Sequence, residues 1–278
     1  MSQAKSNSRV YVFALAVCVV CSLILAGAST MLQPRQSVNV RLDIVRNILA
    51  AVGHDPAEIA ATAPQATFDL YKAEFTELLV DGNNNSADPN YMREELVKLS
   101  YPRTQLDDMS ISDLLRVFNA KKDILARRSK QSLEAYDPGY KLLHVWQPHG
   151  AVEAYVIPIE GYGLWDIIKG YVALEADLNT IKGITFYEHK ETPGLGARIV
   201  EDWFREQYKG KTILTEQGDL TSVTIVRGVA TDQYKEPQLN HYVDGISGAT
   251  LTCKGVNHFL QATLTAYEPF LATLRKNS

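Results

Sequence analysis

The stretch "DGISGATLTCKG", Asp244–Gly255, decides how the C-terminal half of the chain is read. It crowds Ser247, Thr250, Thr252 and Cys253 around the Gly248-Ala249 pair. It stands directly before the last helical pattern, in which Val256, Phe259, Leu260, Leu264 and Tyr267 share one face. Pro269 is expected to kink or break that helix. No histidine or lysine directly flanks the hydroxyls to act as a base. One reading is a helix cap, with Ser247 as N-cap and Thr250 at the third helical position. The other starts from Asp244-Gly245, which supplies a tight turn and an anionic acceptor. The small Gly-Ala pair then leaves the Thr250 hydroxyl unshielded, as suits a side chain that another molecule must reach.

Working upstream, strands are expected at Leu142–Trp146, Ala151–Ile159, Tyr171–Asp177, Ile181–His189 and Ser222–Arg227, several of them ending in Gly or Pro. Between them lie "GLWDIIKG" (Gly163–Gly170) and a helical stretch from Leu195 to Tyr208. Helices flanking a mixed or antiparallel sheet make an α+β domain. Further upstream, Ile111, Leu114, Leu115 and Phe118 predict a helix capped by Ser110. From Arg116 to Lys130, six basic residues accompany one acidic residue, a solvated helix face with headgroup contact as the alternative. "DGNNNSADPN" (Asp81–Asn90) reads as a loop, and Asp55-Pro56 opens a helix-compatible stretch running towards Leu79. Val38, Leu42, Val45, Ile48, Leu49 and Val52 recur at helical spacing before Gly53.

The N-terminal run Val10–Ala28, "VYVFALAVCVVCSLILAGA", carries no charge. As a helix it would span roughly 28 Å, close to the hydrocarbon core of a bilayer. Lys5 and Arg9 precede it without an acidic residue, which puts the N-terminus in the cytoplasm and the rest of the chain outside. Pro34 is read as the end of this pattern. A cleaved signal peptide is the rival reading, since Ala26-Gly27-Ala28 fits a cleavage site; the length of the run favours a retained anchor. Cys18 and Cys21 have redox-pair spacing but read as small apolar filler inside an anchor.

The chain has 278 residues, 46% apolar and 22% charged, with a net charge of −4, which argues against a nucleic-acid partner. Outside the anchor only Cys253 remains, so no intrachain disulfide holds the fold. There is no P-loop, HExxH or GxSxG, and the six histidines show no metal-ligand spacing. Gly161-Tyr162-Gly163 lacks the third glycine of a dinucleotide fingerprint. No complete active site for hydride transfer or hydrolysis is expected in this chain.

The order D-G-x-S-G-A-T-x-T resembles the flavinylation motif of the FMN-binding subunits of sodium-translocating NADH:quinone reductases and the related Rnf complexes. "GYGLWDIIKGYVAL" (Gly161–Leu174), "GITFYEHKETPGLGARI" (Gly183–Ile199) and the anchor followed by "QSVNVRLDIVRNILAAVG" (Gln36–Gly53) are similar to the C subunit of the sodium pump. The resemblance implies a covalent FMN joined by a phosphoester to Thr250. A separate flavin transferase would make the bond, which explains the missing base. The implied flavin contacts are Leu164, Trp165, Glu191, Thr192, Gly194, Leu195, Asp244, Ser247, Gly248, Ala249 and Thr252. Read from the residues alone, Leu164-Trp165 is more often a piece of core than a cofactor wall, and Glu191–Gly196 is equally a turn before a helix. No metal site is expected.

The implied layout is a cytoplasmic N-terminus and anchor (1–34), a helical region (35–141) with an insertion at about 81–141, and an FMN-binding domain (142–278). The implied setting is the bacterial inner membrane, with the main domain periplasmic and with the A, B, D, E and F subunits of the pump as partners. The implied role is relay of electrons from an iron–sulfur centre towards the FMN of the B subunit, in a complex that oxidises NADH, reduces ubiquinone and moves sodium. An Rnf flavoprotein subunit and an anchored non-redox binding or scaffold protein are the alternatives. The resemblance leaves the 81–141 insertion unplaced.

Overall fold

The computed structural model describes residues 2–132, 136 and 138–277. It divides into two units, Met1–Ile44 and Val45–Ser278. Helix α1, Ser2–Ala51, supplies the first unit and the opening residues of the second. Within it Arg9–Gln33 is long and apolar enough to cross a membrane, and none of its side chains is buried by protein. The expected stop at Pro34 does not occur, for the helix continues through it. One proline removes a single helical hydrogen bond, and the bonds on either side carry the helix past it.

In the second unit the chain continues through α2 (Pro56–Ala61) and α3 (Pro64–Glu74) into β1 (Phe75–Val80). The single helix-compatible stretch expected towards Leu79 is therefore two helices and a strand. Asp55 caps α2 by accepting from the Ala57 N–H, and a proline opens each helix, where its missing N–H costs nothing. β1 begins the five-stranded antiparallel sheet β1-β2-β3-β4-β5, a simple meander with β2 Lys141–Trp146, β3 Ala154–Tyr162, β4 Ile167–Glu175 and β5 Ile181–Glu188. This is the expected α+β class. β3 runs three residues past the expected Ile159 and β4 starts four before Tyr171, because "GYGLWDII" is itself a tight hairpin. Its turn is closed by the Gly163 N–H donating to the Asp166 carbonyl at 2.9 Å.

Alternation along the strands splits the apolar side chains between two faces. Leu78, Val80, Leu143 and Val145 join the larger core, together with β3–β5 and the long C-terminal helix. Leu79 and Leu142 point the other way, into a second core built by α4 (Asn90–Val97), α5 (Arg103–Asp107) and α6 (Ile111–Arg128) around Met92, Leu96, Leu106, Leu114 and Phe118. The described part of the strand-poor stretch 81–141 thus builds a small helical layer over the first two strands. α6 is capped as expected, Ser110 Oγ accepting from the Asp113 N–H.

The expected helix Leu195–Tyr208 is instead a chain of single turns: Gly196–Val200 and Glu206–Tyr208 are 3₁₀, and α7 is Asp202–Arg205. The expected strand Ser222–Arg227 shortens to β6, Thr224–Ile225, which pairs in parallel with β7, Tyr242–Val243. Helix α8, Thr250–Asn277, buries Val256, Phe259, Leu260, Leu264 and Tyr267 as its periodicity predicts. It is not broken at Pro269. That residue is exposed, so the carbonyl it leaves unpaired one turn earlier meets water, while Tyr267, Phe270 and Leu271 anchor both sides of it. Asn257 holds α8 against the edge of β6, accepting from the Ile225 N–H at 2.7 Å and donating to its carbonyl at 2.9 Å.

On the helical-layer side of the sheet, His144 is buried with Nδ1 2.7 Å from the Tyr71 hydroxyl and 3.9 Å from Glu77 Oε1. Tyr171 meets its ring edge-on, and Nε2 has no hydrogen-bond partner among the described residues. Burial pushes the imidazole down to about 4, with Glu77 pulling weakly the other way. An unfolded histidine binds its proton near pH 6.5, so between about 6.5 and 4 the unfolded chain takes up the proton first. The fold should therefore lose stability on acidification through that window, by roughly 3 kcal/mol once both states are protonated. Thermal unfolding of the detergent-solubilised chain at pH 7 and pH 4.5 should show this drop, and His144→Gln should flatten it.

Candidate functional site

Three segments converge at one end of the larger core: the hairpin turn Gly163–Asp166, the loop 189–196 after β5, and the first turn of α8. Their meeting point is the carboxylate of Glu191, a residue only 4% exposed. Oε1 accepts from the backbone N–H groups of Leu164 (2.9 Å) and Trp165 (3.1 Å), and Oε2 accepts from the Thr252 hydroxyl at 2.5 Å. Bonds to an ionised acceptor are the strong ones, so both oxygens bind the frame tightly. Glycines make the approach possible. A Cβ on Gly163 would lie 2.4 Å from Oε1, and one on Gly196 would lie 2.6 Å from Oε2. Gly255 lets α8 come so close to the hairpin that a Cβ there would lie 2.3 Å from the Tyr162 carbonyl oxygen.

Held on this frame is an exposed apolar edge. Leu164 and Trp165 do not enter the core; Trp165 is 67% exposed, yet its indole is fixed by Nε1–H donating to Thr192 Oγ1 at 3.1 Å. The Thr192 carbonyl accepts from the N–H groups of Leu195 and Ala197, which sets the loop and leaves Leu195 outside. Asp166 and Lys190 form an ion pair linking the hairpin turn to the same loop.

Helix α8 begins at Thr250, with the Ala249 carbonyl accepting the first bond, from the Cys253 N–H at 2.9 Å. The cap reading of Ser247 therefore fails: Ser247 lies two residues before the cap position and is exposed. Gly248 has φ +76°, a conformation open to glycine at no steric cost. A Cβ there would sit 2.7 Å from Leu195 Cδ2, so this backbone lies directly against the loop. Among the described residues, neither the Ser247 nor the Thr250 hydroxyl has a protein hydrogen-bond partner, and Thr250 is exposed. A helix start adds unpaired N–H groups and the positive end of the helix dipole.

Of the residues expected to touch a cofactor, Thr250, Ser247, Gly248, Leu164, Trp165, Gly194 and Leu195 are at the exposed edge or beside it. Ala249 and Thr252 are buried. Glu191 and Thr252 are turned inward and bonded to each other, because a buried carboxylate must collect donors. Asp244 is an acceptor as expected, but within the protein: Oδ1 accepts from the Ala230 N–H at 2.7 Å, and its own N–H donates to Gln207 Oε1. Gly245 in turn bonds Gly228. One residue escaped the sequence reading. Leu251, 56% exposed beside Thr250, is apolar but lies off the buried stripe of α8, and that mismatch was its signal. Cys253 is buried under the same turn, and burial pushes its thiol up, away from the reactive thiolate.

The model of an FMN-binding domain matches residues 163–265, which span all three segments. The chain is 34% identical over 280 residues to the C subunit of the Na(+)-translocating NADH-quinone reductase from Pseudomonas aeruginosa, covering 99% of each chain. That alignment therefore includes the 81–141 stretch. It is 33% identical to the Yersinia pestis C subunit, covering 94% of this chain and 91% of the relative. Among solved structures, the C subunit from Parabacteroides distasonis superposes with TM-score 0.60 at 25% identity, covering 86% of this chain and 96% of that one. NqrC of Shewanella oneidensis shares the fold, with TM-score 0.56 at 24% identity, covering 84% and 96%.

Gly248→Ala tests the close approach of loop and helix start. A non-glycine residue in the left-handed region costs about 1–2 kcal/mol, and its methyl must displace Leu195. The midpoint of thermal unfolding should fall by roughly 2–8 °C, and an unchanged midpoint would refute the tight packing.

Proposed function

This chain belongs to the family formed by the C subunit of the Na(+)-translocating NADH-quinone reductase, and from that premise we propose that Thr250 carries its FMN as a covalent phosphoester. The chain is an FMN-binding, electron-transfer subunit of an oxidoreductase complex, with one N-terminal helix able to anchor it in a membrane. The observation that carries the proposal is the placement of Thr250: an exposed, unpartnered hydroxyl on the first residue of a long helix, beside an exposed apolar edge.

The residues fit the cofactor. The Thr250 hydroxyl offers the ester oxygen, and the N-terminus of α8 suits the phosphate charge, worth about 0.3–1 kcal/mol at such a position. Gly248 keeps the approach to Thr250 free of a side chain. Leu164, Trp165, Leu195 and Leu251 present apolar surface that an isoalloxazine ring would cover, removing water from both. Bound FMN supplies one- and two-electron chemistry; the protein's part is to hold, orient and shield it. Neither Ser247 nor Thr250 has a basic partner, which fits an acceptor threonine modified by a separate flavin transferase.

At the finer level, we read the chain as passing electrons from an iron–sulfur centre elsewhere in the complex towards the FMN of the B subunit, with the A, B, D, E and F subunits as its partners. The domain lies on the periplasmic side, because Lys5 and Arg9 flank the cytoplasmic end of the apolar run. We assign flavin binding to 142–278, after the anchor at 1–34 and the region 35–141, whose strand β1 completes the sheet.

Expression of the full chain with and without a flavin transferase tests the ester. Denaturing gels should show a fluorescent flavin band only with the transferase. The band should disappear in Thr250→Ala and persist in Cys253→Ala. A band that survives Thr250→Ala would overturn the assignment. Orientation is tested separately: alkaline phosphatase fused after Ala28 should be active, and an inactive fusion would reverse the topology.

A further inference from the structure

We propose that Glu191 is a positioning residue for the flavin site and does not itself contact the flavin; this rests on the assignment of the flavin to Thr250. Glu191 lies in the loop most readily taken for a cofactor cradle. Its carboxylate is nevertheless enclosed, and its two oxygens accept the Leu164 and Trp165 N–H groups on one side and the Thr252 hydroxyl on the other. Gly163 and Gly196 press against the same oxygens so closely that no side chain, and hence no ligand atom, fits between. The carboxylate therefore fixes two things relative to each other: the backbone of the residue pair that forms the apolar wall, and the helical turn that carries Thr250. Thr252 is two residues beyond Thr250 on that turn, so its bond to Glu191 sets the turn's rotation. Thr192, the next residue, completes the device by accepting from the Trp165 indole. Wall and attachment point are thereby held in one geometry by a side chain that touches neither phosphate nor ring.

The substitutions that separate this role from ligand contact are near-isosteric. Glu191→Gln keeps an acceptor for Leu164 and Trp165 but turns a donor towards Thr252. Thr252→Val removes the donor and keeps the volume, and Thr252→Ser restores it. An indole held against a flavin quenches its fluorescence, so the yield of the attached flavin, native relative to denatured, reports the wall's position independently of turnover. Iodide quenching reports its exposure to water. In full-length chain matured with the transferase, the native-to-denatured ratio should rise about twofold or more, and iodide access should increase, in Glu191→Gln and Thr252→Val. Thr252→Ser should match the parent chain, and Trp165→Phe should raise the ratio without raising iodide access as much. Parent-like values in both Glu191→Gln and Thr252→Val, with flavin attached, would sink the positioning role. Equal loosening in Thr252→Ser would also sink it, since the hydroxyl bond would then be irrelevant. Absence of covalent flavin from the parent chain would instead defeat the Thr250 assignment.

Discussion

The carboxylate of Glu191 is the joint on which this end of the molecule depends. Burying an ionised group is costly unless donors surround it. Here the donors come from two segments far from it in sequence: the hairpin turn between β3 and β4 and the first turn of α8. The cost of desolvation is offset only when all of these are in place, so the arrangement is close to all-or-none. Its consequence is local order where order is otherwise hard to obtain. The hairpin turn is exposed, and its two large side chains receive little support from the core. Backbone bonds from Glu191 and an indole bond from Thr192 hold them nonetheless.

The rest of the fold makes that joint possible by bringing rigid elements to one place. The meander puts β3 and β4 inside the sheet, where their hairpin projects from a frame supported on both sides. α8 crosses β3 at glycine contacts, Gly161 against Phe259 and Gly255 against Tyr162, which lower the helix onto the strand. Asn257 then bonds the backbone of β6, and the Tyr267 hydroxyl bonds the Leu142 carbonyl at 2.7 Å. The start of α8 is thus fixed by tertiary contacts along its length, and Thr250 inherits that fixed position. The helical layer α4–α6 covers the opposite face of β1 and β2 with its own core, and contributes none of the residues at the site.

What could be read from the sequence follows from which physical effects are periodic. The buried stripe of α8, the Ser110 cap of α6 and the charge-free run Val10–Ala28 are repeated or adjacent signals, and they led to the right elements. The Ser-Gly-Ala-Thr motif was legible as an order of residues, and its setting near a helix start as a pattern. The exact start was only partly legible: by residue type Ser247 is the better cap, whereas the helix begins at Thr250 with Ala249 at the cap. β1 was hidden because Phe75–Val80 continues an apolar helix-like pattern, and only pairing with β2 makes it a strand. Pro34 and Pro269 were read as stops because local rules count the lost bond and not the neighbours that bridge it. Trp165 was ambiguous because a large aromatic is usually core, and nothing local distinguishes one bonded at an exposed edge. The inward turn of Glu191 was not legible, since which way a carboxylate turns depends on donors distant in sequence.

The inward turn of Glu191 also accounts for the chemistry that the Ser-Gly-Ala-Thr motif lacks. Under the attachment proposed above, the threonine must be exposed, and it must not be held by a competing partner. A carboxylate pointing outward beside Thr250 would repel an incoming phosphate. The Glu191 carboxylate faces the other way, occupied by three donors, and that of Asp166 is paired with Lys190. The thiol in the turn is buried, with its ionisation suppressed. What remains accessible are the Ser247 and Thr250 hydroxyls, of which Thr250 stands on the first residue of the helix. The chemistry on offer at this end of the molecule therefore depends on what has been turned inward as much as on the hydroxyls left facing out.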